Sequence, residues 1–364
     1  MPVPYARPAL PDADLIADDV REIVASRWLT KGPFVGRYEE ALSKRLAVPN
    51  VVATSSCTVG LAYLYRTLGF QGEVILPSFT FLATATALSW AGGTPVFVDI
   101  DPDTLTVDPE AVAAAVTPRT TGIIGVHVFG VAVDPSVDEI AVNAGVPLVF
   151  DAAHGVGSSC GGKSLAMRGT ASAFSTTPTK TLITGEGGFV TTGDDELAAR
   201  IRILNEYGND GSYDTITPGL NGRMPETSAA IGIRSLEMLD DVLEARWTVV
   251  DGYRERLSDL EGIRTQTVPE GCRASYKDFT IIVEDAFGTS RDDLASGLSE
   301  LGIDTRPYFS PAVHRHRAYQ DLGFVGSLPV TEDIEHRVLS LPLWVGMGDA
   351  EIDEVVAGIA SLRG

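Results

Sequence analysis

The feature that most constrains this chain is an alternation running through its first two hundred residues. Short apolar or β-branched runs occur at Glu73–Leu76, Pro95–Asp99, Gly122–Val128 and Pro147–Asp151. Between them lie segments with helical spacing of apolar residues: Thr58–Leu68, Phe81–Trp90, Pro109–Val116 and Pro135–Ala144. Continuously apolar strands have no wet face, so both faces must be covered, and the intervening helices supply the cover. This is the pattern of βαβ units and a mostly parallel sheet between helix layers. Two amphipathic helices are expected ahead of it, over Asp12–Ser26 and Val35–Ala47.

Beyond residue 225 the rhythm changes. Pro225 to about Leu260 reads as one long helix, followed by a strand over Asp278–Val283 and helices over Ser290–Leu301 and Ala350–Leu362. A chain of 364 residues also exceeds the size at which one core stops growing. The expected class is therefore α/β. Residues 1–245 would form a large domain with a mostly parallel mixed sheet between helices, and residues 246–364 a smaller C-terminal α+β domain.

The formal net charge of −21 repels nucleic acid and anionic membranes at long range. It leaves room for an anion held locally by arginine and backbone N–H groups. No apolar run approaches the roughly 18 residues of a membrane span. The three cysteines, Cys57, Cys160 and Cys272, are odd in number and lack CxxC spacing. The opening MPVPYARPALPDADL is Pro-rich and soon acidic rather than basic then apolar. A reducing cytoplasm is the expectation from both.

In open α/β sheets ligands bind beyond the carboxyl ends of the strands. Three polar features fall at such ends. Asp151 closes an apolar strand, Lys180 follows the strand-like Ala171–Ser175, and Ser55-Ser56-Cys57-Thr58 links the strand-like Val51–Ala53 to a helix. A strand-end carboxylate can keep a pyridine nitrogen protonated. A lysine in a polar loop can form an imine with an aldehyde and later move a proton. A Ser/Thr-rich helix start offers free N–H groups and the positive dipole end to a phosphate. Aldehyde, pyridine and phosphate together describe pyridoxal phosphate. Taken singly, the aspartate is a turn former, the hydroxyl run an N-cap and the lysine a solvated surface group. Lys180 resists that last reading, being one of only five lysines and flanked by small uncharged residues.

A competing pattern is present. Gly157–Ser164 matches the nucleotide-binding P-loop GxxxxGK[ST] letter for letter, with Asp99 as a conceivable acidic partner. A P-loop needs a strand directly before it and a helix directly after. Here five residues separate Asp151 from Gly157, and the following SLAMRGTASAFS makes a poor helix. A glycine-rich hairpin is the expected alternative. Among His127, His154, His314, His316 and His336, only the His314/His316 pair is closely spaced, in a polar stretch that reads as a loop.

Several stretches, in order, resemble the DegT/DnrJ/EryC1/StrS family of fold type I, pyridoxal-phosphate-dependent sugar aminotransferases. SRWLTKGPFVGRYEEAL resembles the family's entrance segment and ATSSCTVGL its phosphate-binding turn. LPSFTFLATATAL is similar to the segment whose aromatic stacks on the cofactor, FDAAHGVG to the strand-end aspartate motif, and FSTTPTKTLITGEGGFVTT to the Schiff-base lysine motif. GLNGRMPETSAAIG, RPYFSPAVHRHRAY and RVLSLPLWVGMGDAEID match later landmarks.

The resemblance implies that Lys180 is the Schiff-base lysine and that Asp151 pairs with the pyridine nitrogen. It places His154 beside the ring, Phe81 on its face, and Thr58, Val59 and Ser175 at the phosphate. Asn221 would reach the phosphate of a neighbouring subunit, giving a homodimer with shared active sites. Arg223, Tyr308 and His314 would contact substrate. The implied amino donor is L-glutamate or L-glutamine, and the implied acceptor is a nucleotide-linked keto sugar. Relatives with histidine in place of the lysine are dehydratases, so Lys180 implies transamination. The family's common SGT is Ser56-Cys57-Thr58 here. A keto-cyclitol aminotransferase, an aromatic amino-acid precursor synthase and a cofactor-binding regulator are the other readings of this scaffold. Acceptor contacts are expected in the loops Tyr207–Thr217 and Arg306–Tyr319.

Overall fold

A computed structural model describes residues 2–212, 214–321 and 326–364. A seven-stranded sheet is built from β1 (Asn50–Thr54), β2 (Glu73–Pro77), β3 (Thr94–Val98), β4 (Thr120–Val126), β5 (Leu148–Asp151), β8 (Ala171–Ser175) and β9 (Gly188–Thr192). A hairpin of β6 (Ser159–Cys160) and β7 (Lys163–Ser164) lies between β5 and β8 in sequence. The spatial order is β1-β9-β8-β5-β4-β2-β3, and of these strands only β9 runs against the rest. The mostly parallel mixed sheet is therefore as expected.

Helices cover both faces because the strand residues alternate between two apolar layers. Val74 and Leu76 of β2 join the cluster of α3 (Cys57–Thr67), α4 (Ala83–Ala91) and α7 (Asp195–Leu204). Ile75, between them, joins the cluster of α5 (Pro109–Ala115) and α6 (Ser136–Ala144). Near β1 and β9 the second face is covered by α1 (Ala13–Ser26), α2 (Pro33–Leu46) and α8 (Glu226–Glu237).

The single long helix expected from Pro225 is two helices. It breaks at Met238 (φ −101°, ψ 5°), where α8 gives way to α9 (Leu239–Leu257). No glycine or proline marks the break. α8 packs on α1 and α2, and α9, whose Leu239 and Leu243 stay with that core, carries Val249, Val250 and Tyr253 on to a separate one. That core surrounds a three-stranded sheet of β10 (Ile263–Thr265), β12 (Phe279–Val283) and β13 (Val338–Leu341). It is completed by α10 (Arg291–Glu300) and α13 (Asp349–Ser361). The shorter α11 (Arg317–Gln320) and α12 (Pro329–Ile334) lie in the connection before β13.

The P-loop alternative fails on this structure. Gly161 and Gly162 turn the β6–β7 hairpin with φ of 57° and 74°, and a short 3-10 turn, Leu165–Met167, follows instead of a helix. Asp99 accepts hydrogen bonds from the Val330 N–H (2.9 Å) and from the Thr331 N–H and hydroxyl (both 2.7 Å), capping α12. Two of the three cysteines lie together. Cys160 faces Cys272 of β11 (Cys272–Arg273) directly across an antiparallel register, and the two form a disulfide. Cys57 is free and buried. Among the described residues no helix is long and apolar enough to cross a membrane.

One tie spans most of the chain. Gly32, the N-cap of α2, has no side chain to cap with, and the buried Glu226 takes that role from the start of α8. Its carboxylate accepts from the N–H groups of Gly32 (2.9 Å), Phe34 (2.8 Å) and Val35 (3.1 Å). Negative charge at a helix N-terminus is favourable, and buried N–H groups without acceptors are costly. Glu226→Ala should lower the free energy of denaturant unfolding by about 2–3 kcal/mol, with Glu226→Gln intermediate. An unchanged unfolding curve would show that α2 does not need this cap.

Candidate active site

The carboxyl ends of the central strands open into a cavity of about 330 Å³. Its lining includes Ser56, Thr58, Phe81, Asp151, His154, Ser175, Lys180 and Tyr308. The size falls within the ordinary range of small-molecule pockets.

One wall is the start of α3. Ser56 is its N-cap, accepting from the Val59 N–H at 3.2 Å. That bond occupies Val59, which does not line the cavity although it was expected at the phosphate; Thr58 does line it. The register Thr54↔Gly188↔Ser175 sets α3, the return of the lysine loop and Ser175 in one row. Glycine is required at 188, since a Cβ there would lie 2.4 Å from the Cys57 nitrogen and 2.6 Å from the Phe174 carbonyl.

Asp151 ends β5 and is 4% exposed. It accepts from the Thr84 hydroxyl at 2.6 Å and the Ala153 N–H at 3.0 Å. Burial pushes its carboxyl above the usual range, while these two bonds and Lys180 pull the other way. The Nδ1 of His154 accepts from the Phe129 N–H at 3.1 Å, and its ring lies nearly parallel to those of Phe129 (6.0 Å) and Phe309 (6.4 Å), which are 5.7 Å from each other. Desolvation, followed by the charges of Lys180 and Lys277, holds this imidazole well below its ordinary pKa, hence neutral. Phe81, 54% exposed, lies at the mouth, 6.4 Å from Phe309.

Lys180 sits in a turn closed by its own N–H to the Thr177 carbonyl at 3.0 Å. The loop is anchored on either side. Thr176 and Thr184 share a 2.6 Å hydroxyl contact, the Thr181 hydroxyl donates to the Val156 carbonyl at 3.0 Å, and the Ile183 N–H donates to Ser235. Desolvation and then the Lys277 ammonium push the Lys180 amine down to about 8, against the opposing pull of Asp278, Cys57 and Asp151.

Lys277 and Asp278 also line the cavity, and the sequence reading missed them. The one available signal was that Lys277 is another of the five lysines, placed just ahead of an apolar strand. Besides Val59, three expected residues are elsewhere. His314 does not line the cavity: its N–H and its Nδ1 lie 3.0 and 2.6 Å from the Ser78 hydroxyl, and its Nε2 is 3.5 Å from Glu332. The turn Val313–Arg315 is pinned to the end of β2. Asn221 accepts from Arg223 at 3.0 Å, and Arg223 pairs with Glu206 at 3.4 Å. Arg223 lines a separate cavity of about 870 Å³ with Lys31 and Tyr207, away from Lys180 of the same chain. In the Tyr207–Thr217 loop, Tyr213 lies outside the described residues. No group of three or more metal-ligating side chains occurs among the described residues.

A profile of the DegT/DnrJ/EryC1/StrS aminotransferase family matches residues 12–360. The chain belongs to this family. It is 34% identical to the spore coat polysaccharide biosynthesis protein SpsC of Bacillus subtilis (strain 168), over 99% of this chain and 97% of that one. It is likewise 34% identical to the GDP-perosamine synthase of Caulobacter vibrioides, over 94% of each. The crystal structure of DesI, solved in the presence of its TDP-sugar product, superposes with a TM-score of 0.94 at 37% identity, covering 100% of this chain and 93% of DesI. This family member is a pyridoxal-phosphate-dependent aminotransferase of fold type I.

The depressed Lys180 amine has a direct consequence. An ordinary lysine gains its nucleophilic neutral form near pH ~10.4, whereas Lys180 should gain it through about pH 8. Acetylation of Lys180 in cofactor-free protein, followed by mass spectrometry, should rise with pH through about 8 and then level off. Lys277→Met, which removes a neighbouring ammonium, should move that midpoint upward. A midpoint in the usual lysine range would refute the burial argument.

Proposed function

We propose that this aminotransferase transfers an amino group from L-glutamate or L-glutamine to the ketone of a nucleotide-linked deoxysugar, with Lys180 and Asp151 as its catalytic residues. The observation that carries the reading is the meeting of an amine, a carboxylate and a helix N-terminus around one cavity. Those three groups fit the aldehyde, pyridine nitrogen and phosphate of pyridoxal phosphate. Asp151 adds a specific match, because a carboxylate whose burial opposes ionisation is relieved by a pyridinium proton.

When bound, the cofactor supplies an aldehyde that joins amines and a ring that accepts the electron pair left by proton removal. Lys180 would hold the cofactor through its amine and would take the proton from the donor carbon. An amine with a pKa of about 8 can both accept and return that proton near neutrality. Asp151, aimed by Thr84 and Ala153, keeps the proton on the ring nitrogen. His154 supplies a flat uncharged wall, and Phe81 closes the exposed face. Thr58, Ser175 and the N-terminus of α3 receive the phosphate.

A sugar acceptor is supported by similarity to GDP-perosamine synthase and to DesI. Tyr308, in the lining, is a candidate acceptor contact. We read the enzyme as a homodimer, because Asn221 and Arg223 lie apart from Lys180 of their own chain, where a neighbour's site could meet them.

The purified protein with pyridoxal phosphate should show a yellow absorption band that L-glutamate bleaches and that Lys180→Ala lacks. A Lys180→Ala protein transaminating at the parent rate would sink the assignment. Asp151→Asn should keep the band but slow transamination by about a hundredfold or more, since a preorganised charge at the reacting group is lost.

A further inference from the structure

Beside the proposed cofactor residues lies a buried cluster of charged side chains. Lys277 and Arg246 are each 6% exposed, and Asp278 is 3% exposed. The Lys277 ammonium lies 2.7 and 2.9 Å from the two Asp278 oxygens, and the Tyr5 hydroxyl donates to one of them. Arg246 directs its guanidinium at backbone carbonyls, 2.8 Å from that of Tyr276 and 2.6 Å from that of Lys277. Lys277 is thus paired with Asp278, while Arg246 spends its hydrogen bonds on backbone carbonyls. The rings of Tyr308 (5.2 Å) and Tyr5 (5.8 Å) flank the Lys277 ammonium. Aromatic faces stabilise a cation but do not neutralise it. A buried ammonium needs an anionic partner, and a carboxylate that enters the cavity competes with Asp278 for Lys277.

We infer that Lys277 receives the α-carboxylate of the amino donor, and that Asp278 is its partner while no donor is bound. Whatever amino acid is used, its carboxylate is one bond from the carbon that loses a proton. The counter-ion must therefore line the cavity that holds Lys180. Among the described residues of this lining the cations are Lys180 and Lys277, and Lys180 is engaged with the cofactor and the proton. When Lys277 turns to the donor, Asp278 keeps the Tyr5 hydroxyl. The acceptor brings a ring carbon rather than a carboxylate to the same place, so Lys277 then returns to Asp278. The diphosphate of a nucleotide sugar is separated from its reacting carbon by the sugar ring and does not reach this cation. The inference rests on the proposed role of Lys180.

The test uses holoenzyme and calorimetric binding of two ligands. One is 2-methyl-L-glutamate, which has no α-proton to lose. The other is 4-aminobutanoate, which is glutamate without its α-carboxylate. Lys277→Met should weaken the first roughly tenfold or more and leave the second unchanged, and Lys277→Arg should recover most of the loss. The double variant Lys277→Met/Asp278→Asn, which leaves no unpaired charge, should remain as weak as Lys277→Met. Recovery in the double variant would overturn the inference, because the unpaired Asp278 would then be what repels the donor. Equal losses for both ligands, a wild type that binds the two equally, or a loss confined to the nucleotide-sugar acceptor would overturn it as well. The yellow band separates the two levels. A wild type without it defeats the Lys180 reading, whereas a coloured Lys277→Met protein with undiminished donor binding defeats this inference alone.

Discussion

The catalytic edge depends on one backbone packing constraint, the passage of β9 backwards between β1 and β8. Pairing with both neighbours sets Thr54, Gly188 and Ser175 in one row. It brings the return of the lysine loop against the start of α3, so closely that only a residue without Cβ fits at 188. The lysine, the helix N-terminus and the β8 hydroxyl then meet because their strands do. Asp151 joins them from β5, which pairs in parallel with β8.

On that frame the electrostatics are local rather than global. A chain with a net charge of −21 encloses a cavity lined by two lysines and by Asp151, Glu186 and Asp278, with a buried arginine close behind them. Desolvation drives the titratable groups toward neutrality. The Lys180 amine and the His154 imidazole are pushed down and the Asp151 carboxyl is pushed up. A cofactor with a pyridine nitrogen, an aldehyde and a phosphate meets each of these at a complementary point. The Lys277–Asp278 pair enters from the second core, where the Arg246 guanidinium of α9 holds its backbone. The site is therefore finished by a part of the chain that contributes nothing to the large sheet.

Much of this was legible from local pattern. Helix and strand positions over the first two hundred residues follow from periodicity, because apolar strands need cover on both faces whatever their partners. Asp151, Lys180 and Ser56–Thr58 were legible for the same reason, since chemistry in such sheets collects where strands end. The Gly157–Ser164 stretch was legible as a hairpin rather than a nucleotide-binding loop, because its flanks lacked the required strand and helix.

Other features needed the assembled fold. The break at Met238 carries no local signal; beyond it α9 runs from the core of α8, through Leu239 and Leu243, to a second core at Val249, Val250 and Tyr253. The Cys160–Cys272 disulfide joins residues 112 apart, and no spacing rule anticipates it. His314 sits in a motif that suggested substrate contact, yet its side chain is committed to Ser78 and Glu332. Lys277, unremarkable in sequence, becomes a buried ammonium beside Lys180. By itself the sequence determined the fold class, the family and the strand-end residues, because these rest on short-range periodicity and motif order. Only the tertiary structure decided which distant charges share the cavity, because burial and pairing belong to the packed chain and not to neighbours along it.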